Sequence, residues 1–217
     1  MNAALKREFF VLKNNLFFLI YVAIFMVVAV LENCIDNEGT LFFTMLTILI
    51  GCLYSTNTST NETRYKFDKQ VAALPIIPNH IVISKYIVSF IFSLFINVIL
   101  FLIKQLLFVF HVSEQDMLPL IPFLLAFYSV CLIITGIGLI ISFAFGGDKA
   151  VYFIMALFAT VGFTIGFMSG YDENGILHFL FSVIDSPYLW LVFIGGLLIY
   201  IASLPISAKL YTHRIQK

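Results

Sequence analysis

Apolar residues in this chain come in long, nearly unbroken runs separated by short polar punctuation. A helix needs about 17–25 apolar residues to cross the hydrocarbon of a bilayer. Six stretches meet that need: 15–31, 40–56, 86–110, 119–145, 150–169 and 188–208. None of them carries a charge except the third, at Lys104. Pro119 and Pro122 fall in the opening turn of the fourth, where a missing N–H does little harm, and Pro205 falls in the last turns of the sixth. The pattern predicts an all-α membrane protein of six transmembrane helices, with residues 1–217 forming one transmembrane domain.

Two cytoplasmic segments have a different rhythm. Near the start, Leu5, Phe9, Leu12 and Leu16 recur at helical spacing, with Lys6, Arg7, Lys13 and Asn14 largely off that stripe. This predicts an amphipathic helix over 1–14, lying on the inner leaflet before the first span. The second segment is the insertion over 57–85. There Tyr65, Phe67, Val71 and Leu74 supply apolar contacts among Arg64, Lys66, Asp68 and Lys69. Arg64 and Asp68 stand four apart and can pair along a helix. Pro75 ends that helix, and Pro78 is expected to keep the next residues from resuming it at once. The segment reads either as an interfacial helix or as a protruding docking surface for a soluble partner. A longer outer loop is expected over 170–187.

Charge sorting fixes the expected orientation. Alternate loops form two sets. One holds Lys6, Arg7, Lys13, Arg64, Lys66, Lys69, Lys85, Lys149, Lys209, Arg214 and Lys217, eleven basic residues against four acidic ones. The other holds eight acidic residues, Glu32, Asp36, Glu38, Glu114, Asp116, Asp172, Glu173 and Asp185, and no basic one. The positive-inside rule puts the first set in the cytoplasm, together with both termini. Losing or gaining one span would scramble this sorting, so it also supports an even number of spans. Composition agrees: 61% of the 217 residues are hydrophobic and 11% charged, against about a quarter charged in soluble domains.

The chemistry on offer is sparse. Ion-coupled carriers and proton pumps place ionisable groups near the membrane midplane, and five of the six stretches have none. Lys104 lies roughly 9 Å along the helix from the outer end of the third stretch. It can snorkel towards His111 and Glu114 or face a substrate path. Asn97 reads as a helix–helix hydrogen bond or as part of the same path. His80, His111, His178 and His213 are scattered over loops on both sides, and Cys34, Cys52 and Cys131 have no metal-ligand spacing. Asp36 with Glu38, or Asp172 with Glu173, could pair as acid and base, but solvated loop charge explains them as well. Gly146-Gly147-Asp148-Lys149 lacks the spacing of a phosphate-binding loop. Gly162, Gly166 and Gly170 share one face of the fifth stretch, which suits close helix packing within the chain or self-association.

The insertion also carries a resemblance. Glu62, Asp68, Leu74-Pro75, Ile81-Val82 and Ser84-Lys85-Tyr86 resemble the first cytoplasmic loop of type V class bacterial ABC exporter permeases. In those proteins the region reads as an acid, then Leu-Pro-x-Ser-Arg, Ile-Val and Ser-Lys-Tyr, and it includes the coupling helix that inserts into the ATPase subunit. This chain departs from the pattern at Pro78, where a basic residue is frequent. The composition is also similar to that of staphylococcal permeases that export amphipathic cytolytic peptides, the phenol-soluble modulins.

The resemblance implies the transmembrane subunit of an ATP-binding cassette exporter in the bacterial cytoplasmic membrane. It implies no cofactor in this chain, ATP and Mg being bound by a partner ABC ATPase subunit. A second permease copy or a paralogue would complete the pore, within the lipid bilayer and with no nucleic-acid partner. Docking of the ATPase would fall on Glu62, Arg64, Tyr65, Lys66, Phe67, Asp68, Lys69, Leu74 and Pro75. The expected cargo is an amphipathic peptide or a lipophilic toxin. Immunity against antimicrobial peptides is the alternative role; an ATP-independent carrier is disfavoured by the empty midplane, and an intramembrane enzyme by the lack of an intramembrane carboxylate pair, His cluster or nucleophile–base pair.

Overall fold

Pro78 opens the first long helix. A proline in the first turn forfeits only an N–H that has no helical partner anyway, and its fixed φ suits the helix. The expectation that Pro78 would delay the helix until residue 86 is therefore corrected: α1 runs Pro78–Val109. The computed structural model describes Leu5, Lys6, Glu8, Cys52 and residues 78–109, 120–169 and 188–215. The other three long helices are α2, Leu120–Phe145, α3, Gly147–Ser169, and α4, Leu189–Ile215.

These helices coincide with the third to sixth predicted stretches. Three segments among the described residues are long and apolar enough to cross a membrane: Pro78–Ile99, Leu125–Phe145 and Leu189–Arg214. The 32 residues of α1 span about 48 Å at the helical rise, well beyond the ~30 Å of hydrocarbon. Most of the first and second stretches, the 1–14 helix, the docking segment over 57–77 and the 170–187 loop lie outside the described residues. Within them, Leu5, Lys6, Glu8 and Cys52 are helical, and Glu8 is buried.

One residue separates α2 from α3. Gly146 adopts a φ of 101°, a left-handed conformation that costs a Cβ-bearing residue but not glycine. Its N–H donates to the Ser142 carbonyl at 2.9 Å, closing the end of α2, and its carbonyl accepts from the Ala150 N–H at 3.3 Å, opening α3. Beyond this corner α3 returns along α2, with Ile154 and Phe158 in one apolar cluster with Cys131, Phe127 and Ile134.

The most extensive interface among the described helices joins α2 and α4. Gly196 faces Ser129, Gly136 faces Ser203, and Phe143 meets Tyr211, so the two helices run parallel. Against them α1 is antiparallel to α4: Tyr86 meets Ser203 and Ser207, and Phe90 meets Tyr200. One helix down and two up is the alternation expected of third, fourth and sixth spans. α4 continues through Pro205, which deprives the Ile201 carbonyl of its helical donor; membrane helices tolerate such a loss.

Burial along these helices is inverted relative to a soluble protein. On α4 the covered face holds Gly196, Tyr200, Ser203, Ser207 and Tyr211, while Leu191, Ile194, Leu198, Ile201 and Ile206 stand exposed. On α1, Lys85, Ser89, Ser93 and Asn97 recur every four residues on the buried side, and Ile91, Phe95, Val98 and Leu102 lie outside. Hydrocarbon, not water, is the solvent in which this distribution is stable. Exposed apolar side chains then meet lipid tails, and polar ones find partners in the interior. Exposed Tyr188 and Trp190 at the start of α4 suit the bilayer interface, where aromatic rings with a polar edge concentrate.

Candidate functional site

The polar groups of α1, α2 and α4 meet in a buried seam with three parts. At the first, the Tyr86 hydroxyl lies 2.9 Å from Ser203 Oγ and 2.8 Å from Ser207 Oγ. Proton counting orders these bonds. Ser203 donates to the Tyr200 carbonyl at 2.6 Å, so it accepts from Tyr86, and Ser207 in turn donates to Tyr86. The Tyr200 hydroxyl donates to the Tyr86 carbonyl at 2.6 Å, and the two rings stand 5.1 Å apart. Phe90 and Tyr128 extend the cluster, with the Tyr128 hydroxyl donating to the Phe90 carbonyl at 3.1 Å.

Gly136 makes room for this arrangement. A Cβ there would stand 3.1 Å from Ser203 Oγ and 3.4 Å from the Tyr200 ring. Beside Tyr86, on the side of the seam that meets Phe143 of α2, lies the second part. Lys85 is buried on α1 with its Nζ 5.6 Å from the centre of the Phe143 ring on α2, a cation–π geometry that offsets part of the cost of burying charge. Arg214 of α4 donates to the Ser142 carbonyl at 3.3 Å, so both cations hold α2.

The third part is deeper. Asn97 Nδ2 donates to the Ser93 carbonyl at 2.8 Å and to Cys131 Sγ at 3.5 Å, joining α1 to α2. Thr135 donates to Cys52 Sγ at 3.5 Å, and the Cys52 thiol lies 3.9 Å from the Cys131 carbonyl. Cys52 and Cys131 are both buried, and 79 residues apart in sequence. Residues of the second, third and fourth predicted stretches therefore meet at one point.

Against the sequence-derived candidates, the placement is uneven. Asn97 is buried and engaged in a helix–helix hydrogen bond. Lys104 lies in the last turns of α1, and Gly162 and Gly166 lie on α3. Gly170 and the docking candidates Glu62, Arg64, Tyr65, Lys66, Phe67, Asp68, Lys69, Leu74 and Pro75 lie outside the described residues. Sequence reasoning missed Ser203, Ser207 and Tyr200 as partners of Tyr86. It also missed Gly136 and Gly196 as the glycines that admit α4 to α2. The signal was present: Ser203 and Ser207 stand four apart and share the face that carries Gly196 and Tyr200.

The seam is a set of hydrogen bonds between helices. Among the described residues no three His, Cys, Asp or Glu side chains gather where they could hold a metal ion. Its hydroxyls, thiols and amide bond to one another and to backbone carbonyls across helices. Such a seam can hold helices in register and let them change partners.

Comparison with known proteins agrees with a protein that moves other molecules rather than transforming them. Residues 5–212 match the model of the ABC-2 family transporter proteins, which covers all four long helices except the last residues of α4. No curated protein and no solved structure matches the chain. With nearly its whole length accounted for by that match and its apolar faces turned outward, this chain belongs to the ABC-2 family of transporter proteins and is a membrane-embedded permease subunit of an ABC transporter.

Proposed function

We propose that this permease exports amphipathic peptides or lipophilic toxins, driven by ATP that a separate subunit hydrolyses while docked on the 57–85 segment. The observation that carries the reading is how little sequence separates Leu74 from α1. α1 begins at Pro78, and only Ile76 and Ile77 lie between it and Pro75. A push delivered at Glu62 to Leu74 would have three residues, Pro75, Ile76 and Ile77, to cross before the start of a 32-residue helix. Nucleotide-driven closure of the ATPase pair would then move spans as rigid bodies. Two permeases are needed to line a path, either two copies or this chain with a paralogue.

The cargo class is supported by the seam. Its groups are hydroxyls, thiols, an amide and aromatic rings, and among the side chains of α1 described as buried Lys85 is the one that carries charge. Helices with so little charge suit a molecule with an apolar face and a mildly polar one better than a small inorganic ion, which needs charge or a carbonyl cage.

The test is to purify the tagged chain from its native membrane in mild detergent and identify stoichiometric companions. An ATP-binding cassette subunit should co-purify, and substitutions between Glu62 and Leu74 should release it. A chain that comes out alone, in a detergent that keeps a known transporter complex intact, would overturn the reading.

A further inference from the structure

We infer that Tyr86 is the positioning residue that makes α1 and α4 move as one body when the 57–85 segment is pushed. The inference rests on the proposed function, because it assigns a role within nucleotide-driven movement. Three observations converge on this one side chain.

The first is position. Tyr86 lies eight residues after Pro78, about 12 Å along α1. It is therefore the first residue of α1, counting from the pushed end, with a hydroxyl that reaches α4. The second is geometry. Ser203 and Ser207 are one turn apart, and the Tyr86 hydroxyl sits between them, giving its proton to one and taking a proton from the other. Sliding α1 along α4 by a turn would strip the hydroxyl of at least one serine and leave that half of the fork unmade. The third is reciprocity. The Tyr200 hydroxyl closes on the Tyr86 carbonyl, so α4 grips the backbone of α1 as well as its side chain.

The environment makes the grip matter. Between membrane helices there is no hydrophobic effect to hold the pair, because lipid tails are as apolar as leucine. Register is set by packing and by interhelical hydrogen bonds, and an unpaired hydroxyl in hydrocarbon is costly. Tyr86 is 2% exposed, Ser203 3% and Ser207 0%, so water does not compete for these bonds. A residue that merely stabilised the fold would show in unfolding and nowhere else. A residue that fixes the register of two helices under load shows in how they move.

The experiment follows the distance between α1 and α4 in the assembled transporter. Spin labels are placed through Phe95→Cys and Leu198→Cys, two exposed positions, in a Cys34→Ser, Cys52→Ser, Cys131→Ser background. Distances are recorded by pulsed electron resonance without nucleotide and after trapping with Mg-ATP and vanadate. The native pair should keep one narrow distance in both states. Tyr86→Phe retains the ring against Tyr200, and in this variant the distance should broaden or shift on trapping while remaining narrow at rest. Ser203→Ala with Ser207→Ala should reproduce that result by removing the other half of the fork.

A native pair that shifts on trapping beyond its resting width would overturn the inference, since α1 and α4 would then move separately. A Tyr86→Phe pair as narrow on trapping as the native one would overturn it too. Co-purification of the ATP-binding subunit is scored on the same samples. Its absence from the native chain would sink the proposed function itself, and its presence with either distance result above would sink only the role of Tyr86.

Discussion

Gly196 of α4 lies so close to Ser129 of α2 that an added Cβ would stand 3.1 Å from both the Ser129 Cβ and its carbonyl oxygen. The adjacent Gly195 has nothing within 4 Å of the same virtual atom. Two neighbouring glycines thus serve opposite purposes. One lets two helix backbones touch, and the other faces open space.

The pair gives a built-in control. Gly195→Ala should be neutral or slightly stabilising, since alanine is the better helix former by about 1 kcal/mol. Gly196→Ala must push a backbone carbonyl, and overpacking of this kind costs about 1–3 kcal/mol. Reversible unfolding of the purified chain in mixed detergent micelles checks both. Equal midpoints for the two variants would mean that α2 and α4 are not in backbone contact there.

Asn97 offers a second measurement. Replacing it with Ala removes its bond to Cys131 and should lower unfolding stability by about 0.6–2 kcal/mol, the range for interhelical bonds in membranes. Because Asn97 also bonds its own helix at Ser93, the proper comparison is the cycle with Cys131→Ala. Strict additivity in that cycle would rule out a direct contact.

Cys52 and Cys131 allow a covalent check of the packing. In a Cys34→Ser chain with a protease site inserted between residues 57 and 61, mild oxidation should hold the two fragments together until a reductant is added. Fragments that separate without reductant, after an oxidation that crosslinks a control pair, would show that the second and fourth stretches do not meet where Thr135 reaches Cys52.

The docking segment is open to test from the cytoplasm. Asp68→Arg together with Leu74→Ala is expected to leave membrane insertion intact and to weaken association with the ATPase subunit at least tenfold. That factor corresponds to about 1.4 kcal/mol. In the same cells Asn37→Cys should be labelled by an impermeant maleimide from outside and Lys66→Cys should not. The reverse labelling would invert the topology.

Hydropathy located the described helices well and their ends less well. α2 begins at Leu120 and ends at Phe145, against an expected 119–145, because the run of apolar residues there stops at two glycines. The start of α1 was misplaced by eight residues because Lys85, Ser84 and His80 read as loop. Hydropathy finds the part of a helix that sits in hydrocarbon, and helix geometry does not stop where the hydrocarbon does. The seam was harder to read. Spacing drew attention to Gly162, Gly166 and Gly170, since three glycines four apart suggest close packing. Gly136 meets Ser203 and Gly196 meets Ser129, each pair 67 residues apart, only once α2 and α4 are side by side. The same holds for Cys52 with Cys131 and for Tyr86 with Ser207, which one-dimensional periodicity cannot join.

The single-residue corner at Gly146 bears on the order in which the chain assembles. Closing a loop costs less entropy the shorter it is, and here almost no loop exists. α2 and α3 therefore become neighbours as soon as both have been synthesised, and they can enter the bilayer as a preformed hairpin. The α2 and α4 interface, by contrast, must wait until α4 follows, its contacts falling 67 residues after their partners on α2. A nascent chain stopped after residue 169 should already bring Ile154→Cys within crosslinking reach of Cys131. The hairpin is then the template on which the last helix docks, and Ser129 waits for Gly196 rather than the reverse.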